Sequence, residues 1–419
     1  MRPRCVCLLV SLAVCVATGA RAQGDPGPPL SLRDALREAL RANPELVALQ
    51  RRYETTRAAI PEARFLDPPM FETQIWGWPV TTLNPARTDM YMFMAEQQLP
   101  GRGKRAAREA VANREADLSR QEIAVRANGI LNEVKQAYAD LILARATAGL
   151  YQRQTPLLED TAETATLRYA AGHSGQHDTV RAVVELSRLA ADTVQWRERA
   201  AIAATRLNTL LGRAPGLVVP QAVMTTATPP SAVDAERIAL ERHPEVAMAS
   251  AVVIRDEAEL ARLRGERRPD FVIGGGYMLQ PGGAGAWTAR GGITWPDAPW
   301  ARGRLTATID VQERRVLAAR AQRDAVISAV RRAVRESVVH LEAARERIHL
   351  LETAVIPHVE HALDVARTSY ASDRGDFADL LDTERVLLST RMELVAAQSD
   401  AERAVADLEM AIGDLQEDQ

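Results

Sequence analysis

Cysteine is nearly missing from this chain: Cys5, Cys7 and Cys15 are the only three, and all fall within the first fifteen residues. The same stretch carries Arg2 and Arg4, an apolar run from Cys5 to Ala17, and then Ala20-Arg21-Ala22, which has the small-x-small form of a signal-peptidase site. Cleavage after Ala22 is expected, so the mature chain has no disulfide and no thiol chemistry. Lipid attachment at Cys15 would want a small residue before it, and Val14 stands there. Beyond this leader no apolar run reaches the roughly 18 residues of a membrane-spanning helix. Basic excess is missing too: the formal charge is -3, and without Arg2, Arg4 and Arg21 it becomes -6. That argues against a nucleic-acid partner. No Ser-His-Asp, Cys-His or metalloprotease spacing is found, so neither an enzyme nor a bound cofactor is expected. An exported chain without a spanning helix is either soluble or crosses an outer membrane as strands, whose signal per segment is weak.

What is present is a tandem repeat. Residues 34–46, DALREALRANPEL, align with residues 234–246, DAERIALERHPEV, with seven identities in thirteen at an offset of 200. The same offset pairs Pro69 with Pro269, Phe71 with Phe271, and Arg102-Gly103-Lys104 with Arg302-Gly303-Arg304. An offset of 201 then pairs Pro156 with Pro357, Tyr169 with Tyr370, Asp178 with Asp379, Leu207 with Leu408, and Gly212 with Gly413. The copies span residues 23–220 and 231–419, joined by a Thr- and Pro-rich linker at 221–230 that lacks periodicity.

Each copy reads as a helix, two strands and two long helices. Asp34 to Asn43 is amphipathic, with Leu32, Leu36 and Leu40 on one face, and is interrupted by Pro44. Phe71 to Val80, Thr88 to Leu99, Phe271 to Gln280 and Trp287 to Trp295 read as strands. From Arg102 to about Tyr169, Ile123, Ala127, Ile130, Val134, Ala137, Leu141, Ala144, Ala148 and Tyr151 recur at spacings of three and four. That is a coiled-coil seam with many small members. A run of that length makes a helix on the order of 100 Å long, and Asp178 to Leu211 folds back beside it. Aromatics make up only 4% of the chain but gather at the strands, as Phe71, Trp76, Trp78, Tyr91, Phe93, Tyr277, Trp287, Trp295 and Trp300. Membrane barrels place aromatic girdles there, although aromatics favour strands in any setting. Four strands cannot close a lipid-facing sheet alone, because hydrocarbon tolerates no open edge.

The segment Ala39-Leu-Arg-Ala-Asn-Pro-Glu-Leu46, the half-repeats, and Tyr169-Ala-Ala-Gly172-x-x-Gly175-x-x-Asp178 with its following helix to Leu207-x-x-Leu210-Leu-Gly212 resemble the TolC-like outer-membrane efflux channels. The stretch Leu99-Pro100-Gly101-Arg102-Gly103-Lys104 after a strand resembles the subgroup serving heavy-metal pumps. The resemblance implies a mainly α fold with a small β part: long antiparallel helical hairpins form an α-barrel in the periplasm. Four strands per chain join a shared β-barrel in outer-membrane lipid, as a homotrimer. It implies a periplasmic adaptor and a proton-driven inner-membrane transporter as partners. It also maps adaptor-contacting helical tips onto Arg168, Tyr169, Gly172 and Gly175 in copy one and Arg367, Tyr370 and Gly375 in copy two. Gly175 stands where Ser or Thr is common in the family, and Asp373 stands where copy one has a glycine. Asp373, Asp376 and Asp379 would form acidic rings near the closed end of the tunnel, as carboxylate rings do in cation pores. A soluble periplasmic coiled-coil scaffold or adaptor, and the exit duct of a type I secretion system, are the alternatives.

Three further groups invite chemistry. Met90, Met92 and Met94 alternate with Tyr91 and Phe93, so in a strand the thioethers share a face with Glu96 and Gln98. Thioethers suit Cu(I) or Ag(I), and the plain alternative is adaptable apolar packing. His173 with His177, and His358 with His361, have spacings open to zinc, but the first pair falls in a turn and the second on a solvated helix face. Pro100 to Arg105 is not a phosphate loop, because Arg105 follows the lysine and the glycine spacing of that motif is missing. It reads as a joint where strand ends and helix begins.

Overall fold

The computed structural model describes residues 30–82, 84, 87–220, 232–372 and 374–413. The expected signal segment, the linker and Asp373 lie outside the described residues. The first repeat runs α1 (Leu32–Ala42), α2 (Pro44–Ala58), a 3-10 turn, β1 (Met70–Trp76), β2 (Met90–Leu99), α3 (Lys104–Ala170) and α4 (Gln176–Leu210). The second runs α5 (Ala232–Arg242), α6 (Pro244–Gly265), β3 (Asp270–Leu279), β4 (Ala286–Thr294), α7 (Arg302–Leu350), a π turn (Leu351–Val355), α8 (Ile356–Ala371) and α9 (Phe377–Ile412).

Local chemistry sets these boundaries. The Ser31 hydroxyl accepts the Asp34 N–H and opens α1. Pro44 does not merely interrupt the first helix, as the sequence suggested; it sits at the first position of α2, where its missing N–H costs nothing. Asn43 between them is the cap, its Oδ1 accepting the Glu45 N–H at 2.9 Å. Of the expected Leu32–Leu36–Leu40 face, Leu32 and Leu36 pack half-buried against the core and Leu40 is 37% exposed, while α1 buries Ala35 and Ala39 completely. Small residues let α1 lie close against α3. β1 stops at Trp76 rather than Val80, because Gly77 takes a φ of 71° and the Asp89 N–H closes onto the Trp76 carbonyl.

Helix α3 has 67 residues and is about 100 Å long. Of its nine expected seam residues, all but Ile123 are buried. Pro156 sits inside it without ending it. Its repeat counterpart Pro357 follows the π turn that joins α7 to α8 without a break in helical dihedrals, so copy two keeps the two long rods expected, the first carrying a π turn in its length. A π turn re-spaces the hydrogen-bond ladder that a proline cannot join.

The repeats are not separate bodies. α3 packs against α4 of its own repeat and also against α6 and α9 of the other. The four strands form one antiparallel sheet in the order β1-β2-β3-β4, with β2 and β3 bridging the repeats from Tyr91↔Leu279 to Leu99↔Phe271. One core joins α1, α3 and α4 around Ile130, Val134 and Leu141; a second joins α5, α7 and α9 around Val334 and Leu408. A third unites both helical tips around Leu158, Phe377 and Leu380. Among the described residues no helix is long and apolar enough to cross a membrane.

Candidate functional site

The strands' period of two sorts the sheet into two unlike faces. Following the pairing register, Phe71, Ile75, Tyr91, Phe93, Phe271, Ile273, Tyr277, Trp287 and Ile293 share one face. That face is exposed: Phe71 is 78%, Trp287 83% and Ile293 68% accessible. Tyr277 and Trp287 meet edge-to-face across β3 and β4 with centroids 5.1 Å apart. The opposite face carries Glu72, Gln74, Met92, Met94, Glu96 and Arg290, and Arg290 pairs with Glu96 at 3.1 Å. Trp76 falls on this second face, opposite Met90, away from the other strand aromatics. β1 and β4 each leave one edge unpaired within the chain. An exposed apolar sheet face with open edges is not stable in water as a lone object.

The sheet is fixed to the helices by the joint read from the sequence. Lys104, 1% exposed, opens α3 with its ammonium 2.8 Å from Asp270 Oδ2 and 2.9 Å from Glu266 Oε2. Asp270 Oδ1 also accepts the Gly101 N–H at 2.7 Å. The Arg268 guanidinium donates to the Arg102 carbonyl. Gly103 turns the chain with φ 85°, and a Cβ there would lie 2.7 Å from Arg268 Nη1. The joint of repeat one is therefore locked by the strand entry of repeat two. Lys104 is consumed by two carboxylates, which removes any phosphate-binding use.

The other end of the molecule holds the helical tips. α3 ends in a left-handed Gly172 (φ 77°), with the His173 N–H on the Arg168 carbonyl and the Gly172 N–H on the Tyr169 carbonyl. Arg168, in the last turn, lies over the Tyr370 ring at 4.3 Å and donates to the Tyr370 carbonyl, joining the two tips. Tyr370 packs on Phe377 with centroids 5.6 Å apart. Among the described residues its hydroxyl is buried without a partner, and burial pushes it above the ordinary phenol range. Arg367 reaches the buried Glu384 at 3.3 Å, yet burial outweighs this pairing and raises that carboxyl. Arg385 holds Glu185 of the other repeat below the usual carboxylate range through a side-chain hydrogen bond.

The structure thus brings Arg168, Gly172, Tyr370 and Gly375 into the tip region, and leaves Tyr169 47% exposed. Gly175 caps α4 through its backbone alone. Asp376 serves its own helix, its Oδ1 accepting the Ala378 N–H to open α9. Asp379 is exposed, while its repeat counterpart Asp178 is buried beside His177 at 3.0 Å. Among the described residues no group of three or more His, Cys, Asp or Glu is placed to hold a metal, and His177 is turned to Asp178. Lys104, Asp270 and Glu266 were not legible as a unit in the sequence. Only the lysine carried a signal, as a charged residue just after two glycines that follow a strand.

A two-faced sheet with open edges is thus set on helices of unusual length. Residues 237–414, nearly all of the second repeat, match the model of the family described as outer membrane efflux protein. The chain is 24% identical over 368 residues, 87% of its length and 85% of the relative's, to the cobalt-zinc-cadmium resistance protein CzcC of Cupriavidus metallidurans. Its fold is similar to that of CusC, with a TM-score of 0.78, 17% identity and 91% of each chain covered. It is also similar to the outer membrane protein VceC of Vibrio cholerae, with a TM-score of 0.76, 20% identity, and 91% and 96% of the two chains covered. Over 91% of its length the chain therefore shares the fold of these outer-membrane proteins, and its second repeat is similar to the outer membrane efflux protein family.

Proposed function

We propose that this protein is the outer-membrane channel subunit of a tripartite efflux pump, a passive duct carrying substrate from the periplasm to the exterior. The observation that supports it most is the sheet: one face apolar and exposed, the other polar, with an unpaired strand at each edge. Lipid satisfies the first face, water in a lumen the second, and further copies of the chain the edges. Energy for transport then belongs to an inner-membrane transporter, reached through a periplasmic adaptor at the helical tips around Arg168 and Tyr370. The relationship to CzcC favours heavy-metal cations as cargo.

The internal repeat supports one way for copies to meet. Within the chain α9 lies on α3, and Gln136 Nε2 donates to Asp407 Oδ1 at 2.8 Å. Carried over by the repeat, α3 corresponds to α7 and α9 to α4, and the equivalent contact between copies would pair Glu336 of one with Arg206 of the next. Those two residues carry opposite charge and are more than half exposed in the single chain. Val339 on α7 and Ile202 on α4, 62% and 61% exposed, find cover in the same contact. Closing the sheet by this rule yields a ring of identical subunits, for which a homotrimer is the arrangement proposed.

Membrane fractionation with unboiled gel migration tests the proposal. A heat-dissociable oligomer in the outer-membrane fraction is expected. A monomer in the periplasmic fraction overturns it and favours a soluble coiled-coil scaffold.

A further inference from the structure

The polar face of the sheet holds a group that neither packing nor the channel reading uses. Met92 on β2 stands directly opposite Met278 on β3, and Met94 stands opposite Gly276, two residues before Met278. Directly paired residues have Cβ atoms about 5 Å apart, and neighbours along a strand on one face about 7 Å, within reach of three flexible thioethers. Gly276 makes the approach possible. A Cβ there would lie 2.9 Å from Met94 Cγ, so the Met94 side chain already lies across this glycine, toward the strand that carries Met278. Met90 continues the row beyond Met92. On the far side β1 sets Gln74 opposite Met92 and Glu72 opposite Met94.

Apolar packing does not account for these side chains. Among the described residues none of them joins any of the three hydrophobic cores. They stand half-buried among Glu72, Gln74, Glu96 and Arg290, on the face opposite the aromatic one. Leu or Val would cover such a surface equally well. What methionine alone supplies there is a set of neutral, polarisable sulfur donors.

We propose that Met92, Met94 and Met278 form a binding site for a soft monovalent cation, Cu(I) or Ag(I), on the lumen wall. Placing it in the lumen rests on the channel reading above; the sulfur cluster itself does not. Thioethers select soft ions over Zn(II) or Mg(II). Being neutral, they bind without releasing a proton. Conduction needs sites strong enough to admit an ion and weak enough to release it, and three thioethers beside one carboxylate, Glu72, meet that requirement.

The test is calorimetric titration of Ag(I) into the purified full-length protein in chloride-free detergent, beside the variant Met92→Leu/Met94→Leu/Met278→Leu. Leucine conserves volume, so folding is expected to survive. The wild type is expected to bind one Ag(I) per chain, and the variant to bind about tenfold or more weakly. Met70→Leu, on the same face but opposite Glu96, is expected to bind as the wild type does. Wild-type affinity in the triple variant overturns the site. A second measurement needs no variant: the methionine methyl carbon resonances of labelled wild-type protein should include three that shift with Ag(I) and stay put with Zn(II). Shifts spread over all methionines, or none, overturn it equally. Unboiled gel migration of the same samples keeps the questions apart. Silver binding lost in a heat-dissociable oligomer supports the site, whereas a monomer that still binds silver through these residues sinks only the channel reading.

Discussion

Asn43 and His243 do the same work in the two repeats with different chemistry. Asn43 Oδ1 accepts the Glu45 N–H while its Nδ2 donates to the Leu210 carbonyl at 2.9 Å. His243 Nδ1 accepts the Glu245 N–H at 3.2 Å, and its ring is hydrogen-bonded to the Met410 backbone. Each thereby caps a helix and ties it to the end of the long return helix, 6% exposed or less. Only the histidine can be protonated.

Burial holds His243 below its ordinary value of 6.5. The unfolded chain therefore binds a proton more readily than the folded one. The stability this residue contributes is complete above about pH 6.5 and is lost as the pH falls through the lower folded value. His243→Asn, which copies the first repeat, is expected to flatten the acid side of the thermal-stability profile below about pH 6.5. Melting curves across that range check it, and an unchanged slope would assign the acid sensitivity elsewhere.

Lys104→Met leaves Asp270 and Glu266 facing each other without the ammonium between them. Removing one partner of a buried ion pair costs about 3–5 kcal/mol. Here the carboxylates are 32% and 23% exposed and partly hydrated, so roughly 2 kcal/mol is expected. Adding Asp270→Asn and Glu266→Gln should restore part of the loss in a double-mutant comparison of melting temperatures.

Gly103→Ala and Gly303→Ala place the same substitution in the same motif with opposite outcomes. Gly103 has φ 85° and an Arg268 nitrogen 2.7 Å from the new Cβ. Gly303 lies inside α7 with no atom within 4 Å. The first change is expected to lower the melting temperature through about 1–2 kcal/mol of strain, the second to leave it level or raise it slightly. Equal losses would mean the two joints are built alike.

Tyr370→Phe removes a buried hydroxyl that has no partner among the described residues, while keeping the ring beneath Arg168 and against Phe377. An unpaired buried polar group costs about 1–3 kcal/mol, so this variant is expected to be as stable as the wild type or more so. Arg168→Ala, which loses the stacking and the bond to the Tyr370 carbonyl, should loosen the tips. Limited proteolysis near residues 171–175 reads both.

Much of this was legible in the sequence because it is periodic or duplicated. The seam from Ala127 to Tyr151 announces α3 through its three-and-four spacing, and the offset of 200 sets Asn43 against His243. Alternation in β2 separated Met92 and Met94 from Tyr91 and Phe93. What escaped was contact between the repeats. Nothing local says that β2 pairs with β3, and so nothing announced Met278 opposite Met92 or Asp270 beside Lys104. The repeat even misleads there, since Leu66 and Met70 occupy the places that correspond to Glu266 and Asp270. Likewise Asp178 and Asp379 match in alignment yet differ in burial, because the residues around them come from different helices.

The subunit contact offers the most direct test of the account. Glu336→Cys with Arg206→Cys, introduced into a mature chain expected to lack other cysteines, should form disulfides between copies in the outer-membrane fraction under mild oxidation. The ladder should end at a closed trimer. A chain that stays monomeric, or links into dimers only, would contradict the shared barrel.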